Sequence, residues 1–363
     1  MSKFKQEVGG YRGRRTVTDI LRIIAILLAI AVVLLGAGLF FGQRYIIYTD
    51  EGMKLDIPFF RQEEKPSHNP GDMSIVELPG DSSQQEDAPV AEPEPEKIDY
   101  MNAVQLSLTS VLDGTAEQRL KEAGGDALIL EMKAQSGKLS WVSGEKMAKT
   151  AKANPSDESV NEVIRQWNAG DVYTIARVSC FRDDSLPYYC NRVALRSPEG
   201  NWRDEAGMRH LDPTDKEAQE YIAGLCGELA ELGFDEILLE YCTYPVRGRL
   251  DRIQPVDGDI NSPFGGPEYL LALVNEAVAG YETAISVHTE LGILTGEVEG
   301  SGIKPEALWA YTDRLWLDGT DFGFDPMKLQ EAAGYQDPAN WIVAVGTEIW
   351  QKTDCHQAFL SNE

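Results

Sequence analysis

The stretch Glu228-Leu229-Ala230-Glu231-Leu232-Gly233-Phe234-Asp235-Glu236-Ile237-Leu238-Leu239-Glu240-Tyr241 contains one complete change of periodicity. Its first residues close a helical pattern that opens at Lys216, and Gly233 is the residue type that ends helices in a left-handed turn. From Glu236 to Tyr241 the spacing becomes a short apolar run bounded by charge. A run of that length reads as a strand buried on both faces. A helix feeding straight into such a strand is half of a βαβ unit.

The same alternation continues on either side. Strands are expected at Val104–Thr109, Ala127–Met132, Val172–Phe181, Glu236–Tyr241, Thr283–Val287, Arg314–Leu317 and Trp341–Gly346. Helices are expected at Thr115–Ala123, Val160–Asn168, Lys216–Leu232, Pro267–Ala279, Pro305–Ala310 and Lys328–Ala333. The rhythm implies a parallel sheet. Seven or eight such units fit an α/β fold of the (β/α)8 TIM-barrel type. A doubly wound sheet is the alternative, but no GxGxxG turn or P-loop marks a nucleotide site. No eighth strand stands out after Gly346, because Lys352–Glu363 is short and polar. The barrel is therefore either incomplete at its C-terminal end or closed by a segment from elsewhere.

Ahead of the barrel the chain changes character twice. Residues 23–42 carry no charge and are nearly all Ile, Leu, Val, Ala, Gly or Phe. A helix of that length spans about 30 Å, the thickness of bilayer hydrocarbon. Lys3, Lys5, Arg12, Arg14, Arg15 and Arg22 precede it, opposed only by Glu7 and Asp19, which places the N-terminus in the cytoplasm. A cleaved signal peptide is the alternative, but the apolar stretch is long for one and only Gly36-Ala37-Gly38 offers a cleavage site. The expected organisation is a basic cytoplasmic tail (1–22), one transmembrane signal anchor (23–42), a juxtamembrane segment with an acidic Pro-rich linker (43–97) and an extracytoplasmic barrel (98–363) on a bacterial cell membrane. Tyr45–Tyr48 and Ile57–Phe60 have strand character. Gln84–Lys97 alternates Glu with Pro and cannot bury enough apolar surface to fold, so it is expected to be a disordered, extended spacer.

A formal net charge of −26 argues against nucleic acid as a partner, since phosphate neutralisation needs clustered Lys and Arg. The same charge disfavours polyanionic substrates. The cysteines are Cys180, Cys190, Cys226, Cys242 and Cys355, with no CxxC pair for a zinc ribbon or redox site. Cys180 and Cys190 bracket a short loop that a disulfide could close; buried free thiols are the other reading.

In a barrel of this type the chemistry lies at the C-terminal ends of the strands. Those ends carry Glu131, Arg177, Glu240-Tyr241, His288-Thr289-Glu290, Trp316-Leu317-Asp318 and Thr347-Glu348. Charge at the end of an apolar run is costly unless solvated or paired. Two carboxyl groups flanking a bond are what glycoside hydrolysis needs. Arg177 could hold one of them ionised and so separate acid from base. Glu131, Arg177 and Glu240 read equally well as a buried structural ion-pair network. The aromatics Trp141, Trp202, Tyr241, Tyr244, Trp316 and Trp350 lie near the same loops and suit stacking on sugar faces. Asp257, Asp259, Asn261 and Glu268 follow calcium-loop spacing. Ser262 stands where glycine belongs, however, and Pro255 argues against an entering helix, so neither calcium nor any other metal or cofactor is expected.

Glu228–Ile237 followed by Leu238-Leu239-Glu240-Tyr241-Cys242-Thr243-Tyr244-Pro245 resembles a bacterial family of glycoside hydrolase-like TIM-barrel domains, whose pattern reads ELGFDEIQFDYVRFP. Leu106–Thr109, Leu128–Lys133 with Gly137-Lys138, Ile175–Val178 with Phe181, Trp202-Arg203-Asp204 with Gly207, and Leu211-Asp212-Pro213 match further stretches in order. The resemblance covers Ala103 to Gly292 and implies a polysaccharide or glycan as partner. Glu240 and Glu131 stand where the family has aspartate, and Thr243 replaces its arginine. The family's Ser-Ala-Asp-Val-Phe-Gly becomes Ser286-Val287-His288-Thr289-Glu290-Leu291-Gly292, with Glu290 as a substitute for the lost aspartate. Its Pro-Met-x-Tyr gives way to Leu317-Asp318-Gly319. A longer carboxylate moves the reacting oxygen by more than an ångström, a displacement that can cost about a hundredfold in rate.

The resulting expectation is a surface glycosidase acting on cell-wall or extracellular polysaccharide. Glu240, with Glu290 or Glu131, would be catalytic. Arg177, Tyr241, Trp202, Asp204, His288, Trp316 and Asp318 would bind substrate. The other reading is a catalytically degenerate barrel that serves as a glycan-binding or envelope scaffold protein.

Overall fold

The computed structural model describes residues 46–49, 52–55, 100–323, 325, 328–329, 341–347 and 355–360. The chain divides into two compact units, residues 1–90 and 91–363. In the first, Ile46–Thr49 and Gly52–Leu55 pair as an antiparallel hairpin, in keeping with the strand character read at Tyr45–Tyr48. The expected anchor at 23–42, the linker residues 61–97 and Ile57–Phe60 lie outside the described residues. Among the described residues no helix is long and apolar enough to cross a membrane.

The second unit is a closed barrel of eight parallel strands. These are β1 (Asn102–Gln105), β2 (Ala127–Lys133), β3 (Tyr173–Ser179), β4 (Glu236–Glu240), β5 (Ala284–His288), β6 (Arg314–Asp318), β7 (Ile342–Gly346) and β8 (His356–Phe359). Each pairs with the next, and β8 returns to β1 through Gln357–Asn102, Ala358–Ala103 and Phe359–Val104. The expectation of an incomplete barrel is thus corrected. The eighth strand comes from the stretch that reads as a polar tail. Only Ala358 of β8 joins the inner core, and its polar residues are buried with partners: His356 Nδ1 accepts from the Met101 amide at 2.9 Å, and the Gln357 amide donates to the Met101 carbonyl at 2.9 Å. Hydrophobic periodicity cannot reveal a strand built that way.

Side chains alternate across every strand. Outward residues such as Leu128, Leu130, Ala176, Val178, Ile237 and Leu239 pack with the helices in one large core. Inward residues Ala103, Ala127, Ile129, Ile175, Leu238, Trp316, Val343 and Ala358 form a second, smaller core that fills the barrel. The outer helices are α1 (Ala116–Glu122), α2 (Val160–Asn168), α3 (Lys216–Glu231), α4 (Pro267–Val278) and α5 (Pro305–Tyr311). Asp215 caps α3 by accepting from the Ala218 amide at 2.9 Å, and Gly233 stops it at φ +87°. Expected and observed elements differ mainly at the first strand. It ends at Gln105 because Ser107 caps a helix over Leu108–Leu112, its Oγ accepting from the Thr109 amide. The expected helix 328–333 falls largely outside the described residues.

His356 sits at the seam where the barrel closes. Burial, reinforced by the charge of Arg314, pushes its imidazole down to about 4. A histidine with a depressed native pKa contributes stability fully above its unfolded value, about 6.5, and loses that contribution as pH falls toward 4. Urea unfolding at pH 7.5 and at pH 5 therefore shows a loss of stability on acidification. A His356→Gln variant, whose amide oxygen still accepts from Met101, shows a smaller loss.

Candidate active site

The site follows from the alternation along β4. Glu236, Leu238 and Glu240 share the inward face, so the strand delivers a carboxylate to each end of the barrel interior with a leucine between. All three are buried. At the N-terminal end, Glu236 Oε2 accepts from Arg314 Nη1 at 2.6 Å and from the Tyr173 hydroxyl at 3.0 Å, and Oε1 accepts from Trp316 Nε1 at 3.1 Å. This network closes the floor. Burial, with Glu236 beside it, pushes the Tyr173 phenol well above its ordinary value, so it stays a donor.

At the C-terminal end, Glu240 Oε2 accepts from Arg177 Nε at 2.7 Å and Oε1 faces His288 Nδ1 at 2.9 Å. Arg177 Nη1 also donates to Gln105 Oε1 at 2.8 Å and lies 3.8 Å from Glu131. Burial raises the Glu240 carboxyl, but the His288 hydrogen bond and the Arg177 charge outweigh it and leave the group below its ordinary value. Glu240 is therefore an ionised carboxylate held at the mouth of the barrel.

Beyond Glu240 the chain turns sharply. Tyr241 adopts φ +51°, a left-handed conformation that costs a side-chain-bearing residue about 1–3 kcal/mol. Its ring lies under the Arg182 guanidinium at 4.9 Å, and its hydroxyl accepts from Arg182 and Gln135 at 3.1 Å each. A bulge in β2 between Glu131 and Lys133 redirects that strand's exit. Lys133, fully buried, pairs with Asp183 at 2.9 Å and donates to the Ser179 carbonyl at 2.6 Å, so it ties the loops after β2 and β3 together. Gly137 is required there, because a Cβ would stand 2.1 Å from Asp183 Oδ1.

These loops frame a two-lobed cleft. The first lobe, about 500 Å³, is lined by Arg177, Glu240, Tyr241, His288, Glu290, Asp318 and Thr347, among others. The second, about 440 Å³, is lined by Arg182, Trp202, Asp204, His210, Arg247 and neighbours. Tyr241, Thr243, Val246 and Glu290 belong to both. In the second lobe Asp204 pairs with Arg182 at 2.7 Å and with His210 Nε2 at 3.2 Å. Burial pushes the Asp204 carboxyl up, but the His210 and Met208 hydrogen bonds and the Arg182 charge leave it far below the usual range. Burial pushes the His210 imidazole down. Glu290 pairs with Arg247 at 2.8 Å in an exposed setting, and Asp318 accepts from the Thr320 amide at 2.9 Å.

Of the residues singled out in the sequence, Glu240, Glu290, Arg177, Tyr241, His288 and Asp318 converge on the first lobe, and Trp202 and Asp204 on the second. Glu131 lies beside Arg177 but is not among the lining residues. Trp316 is a correction: it is fully buried in the inner core with Nε1 on Glu236, and does not reach the mouth. Trp141 is likewise buried, bonded to Glu228. Trp350 and Glu348 lie outside the described residues. Cys180, buried at the β3 exit, and Cys190, beside Arg192, are separate thiols, so no disulfide closes that loop. The calcium-type pattern is used locally, Asp259 Oδ1 accepting from the Asn261 amide at 2.9 Å. Among the described residues no three His, Cys, Asp or Glu side chains converge as a metal site. The reading of strand exits missed Gln105, Gln135, Arg182 and Arg247. Gln105 was detectable, because it is the inward residue that ends β1. The others lie on loops, where no periodicity points inward.

An eight-stranded parallel barrel with a carboxylate-bearing cleft at its C-terminal mouth defines the class: a (β/α)8 barrel of the glycoside hydrolase type. The family model described as "Putative glycosyl hydrolase domain" matches residues 100–293, more than half of the chain, and the protein belongs to that family. No curated protein matches it. Similar solved structures include a hypothetical protein of Ruminiclostridium thermocellum, at 21% identity over 51% of this chain and 96% of that one, TM-score 0.40. The glycoside hydrolase domain of PgaB (BpsB) from Bordetella bronchiseptica is similar at 14% identity over 68% and 84%, TM-score 0.47. Ega3 of Aspergillus fumigatus, solved with galactosamine, is similar at 8% identity over 68% and 76%, TM-score 0.39.

Removing one partner of a buried ion pair leaves an uncompensated charge and costs about 3–5 kcal/mol. Arg177→Met and Arg314→Met both lower unfolding stability by that order. Only Arg177→Met also raises the pKa of Glu240, read by carboxyl-carbon NMR titration.

Proposed function

We propose that the protein is a membrane-anchored glycoside hydrolase that cuts a cell-wall or extracellular polysaccharide outside the cytoplasmic membrane. The observation that carries this reading is the buried, ionised Glu240 at the C-terminal mouth of a barrel of glycosyl hydrolase family. Glycosidic cleavage needs an acid on one side of the bond and a base or nucleophile on the other. Glu240 and the groups that hold it supply the side that stays ionised. Glu290 and Asp318, which line the same lobe from the β5 and β6 exits, supply candidates for the acid. Glu131 serves as a support for Arg177.

Two lobes joined through Tyr241, Thr243, Val246 and Glu290 suit an extended chain rather than a single sugar. The overall charge of −26 favours a neutral or amino-sugar polymer over a polyanion. Residues 23–42 provide the anchor and 43–97 the spacer, with residues 98–363 as the barrel domain. One observation favours the second reading, a glycan-binding barrel without catalysis: both Glu240 oxygens are already engaged by Arg177 and His288.

Hydrolysis of a panel of neutral, amino-sugar and anionic polysaccharides and of peptidoglycan, by the full-length protein in detergent, separates the two. We expect cleavage that drops at least about a hundredfold in Glu240→Gln. Equal activity in the two proteins removes Glu240 from the mechanism. A well-folded protein that binds a glycan but cleaves none supports the binding barrel.

A further inference from the structure

Glu240 and His288 are in contact at 2.9 Å. Carboxyl groups that flank a glycosidic bond stand about 5–5.5 Å apart in retaining enzymes and about 6.5–9.5 Å apart in inverting ones. A pair in contact therefore occupies one side of the bond and acts as a unit. Exposure decides which member meets the substrate. The Glu240 side chain is 6% exposed, with Oε2 on Arg177 and Oε1 on His288, whereas the His288 side chain is 27% exposed and lines the cleft. An ionised carboxylate can only accept, so His288 Nδ1 carries the hydrogen between them. In the neutral imidazole that assignment leaves the lone pair on Nε2, and among the described residues no group bonds to Nε2.

We infer that His288 is the proton-transfer residue of this cleft and that Glu240 is its positioning residue, fixed in turn by Arg177 and Gln105. The inference rests on the hydrolase reading given above and deepens it. In the step it implies, Nε2 takes a proton from a water molecule as the water oxygen bonds to the anomeric carbon. The bond from that carbon to the leaving oxygen breaks, its electron pair goes to the oxygen, and the oxygen takes a proton from a cleft carboxyl group, Glu290 or Asp318. One water is added across the bond. The imidazolium formed is stabilised by the Glu240 carboxylate, and it then releases its proton to solvent while the carboxyl group regains one.

The test uses the full-length protein and whichever panel glycan the wild type cleaves. His288→Ala is expected to lower kcat by about 10²–10⁴-fold with a smaller change in KM, and added imidazole is expected to restore part of the loss. His288→Asn keeps an N–H toward Glu240 but cannot take a proton. It is expected to unfold at the wild-type temperature and to remain as slow as His288→Ala, whereas a merely structural histidine would be replaced by Asn without loss of rate. Wild-type kcat in His288→Asn, or no response of His288→Ala to imidazole, overturns the proton-transfer role alone. A wild type that cleaves no glycan overturns the hydrolase reading and this role with it.

Discussion

One strand places two carboxylates inside the barrel, and the architecture around them is an answer to that constraint. Glu236 and Glu240 sit on the same face of β4 with only Leu238 between, and both are buried. An unpaired buried ion costs several kcal/mol, a large share of the roughly 5–15 kcal/mol by which a domain is stable. Each carboxylate therefore recruits a guanidinium from another strand, Arg314 of β6 at the floor and Arg177 of β3 at the mouth. The apolar layer between them, with Leu238, Ile129, Ile175, Trp316 and Val343, keeps the two polar networks apart. That separation lets one network be structural and the other face solvent.

The chemistry of the mouth follows from how Glu240 is compensated. Arg177 of β3, itself donating to Gln105 of β1, holds one oxygen, and His288 meets the other from β5. The mouth thus combines a carboxylate on β4 with an imidazole on β5. Two like charges in contact would repel, and a carboxylate beside an imidazole does not. Glu240 and His288 thus form a matched pair in contact. The Lys133–Asp183 pair and the left-handed Tyr241 then shape the cleft wall around that pair.

Much of the fold and part of the site were legible in the sequence. The helix-to-strand change at Gly233, the apolar runs and the order of units specified an α/β barrel, because burial on both faces demands continuous apolar strands. Reading the strand exits picked out Glu240, Arg177, His288, Glu290 and Asp318, which line one lobe of the cleft, because parallel strands of one barrel all point their C-terminal ends the same way. The same procedure misplaced Trp316. Its position near the end of a run looked like an exit, yet its ring is fully buried in the inner core with Nε1 on Glu236 at the floor. It also overlooked β8, whose His-Gln-Ala-Phe run satisfies its polar groups by hydrogen bonds instead of apolar periodicity.

The sequence by itself therefore determined the class of fold, the strand that carries the central carboxylate and the set of charged residues at the strand ends. These depend on periodicity and chain order, which are local. Only the tertiary structure decided that the barrel closes, which charge compensates which, and that Glu240 and His288 are in contact. Those facts depend on register between strands far apart in the chain. A shift of one residue would exchange the inward and outward faces, and no local pattern records that choice.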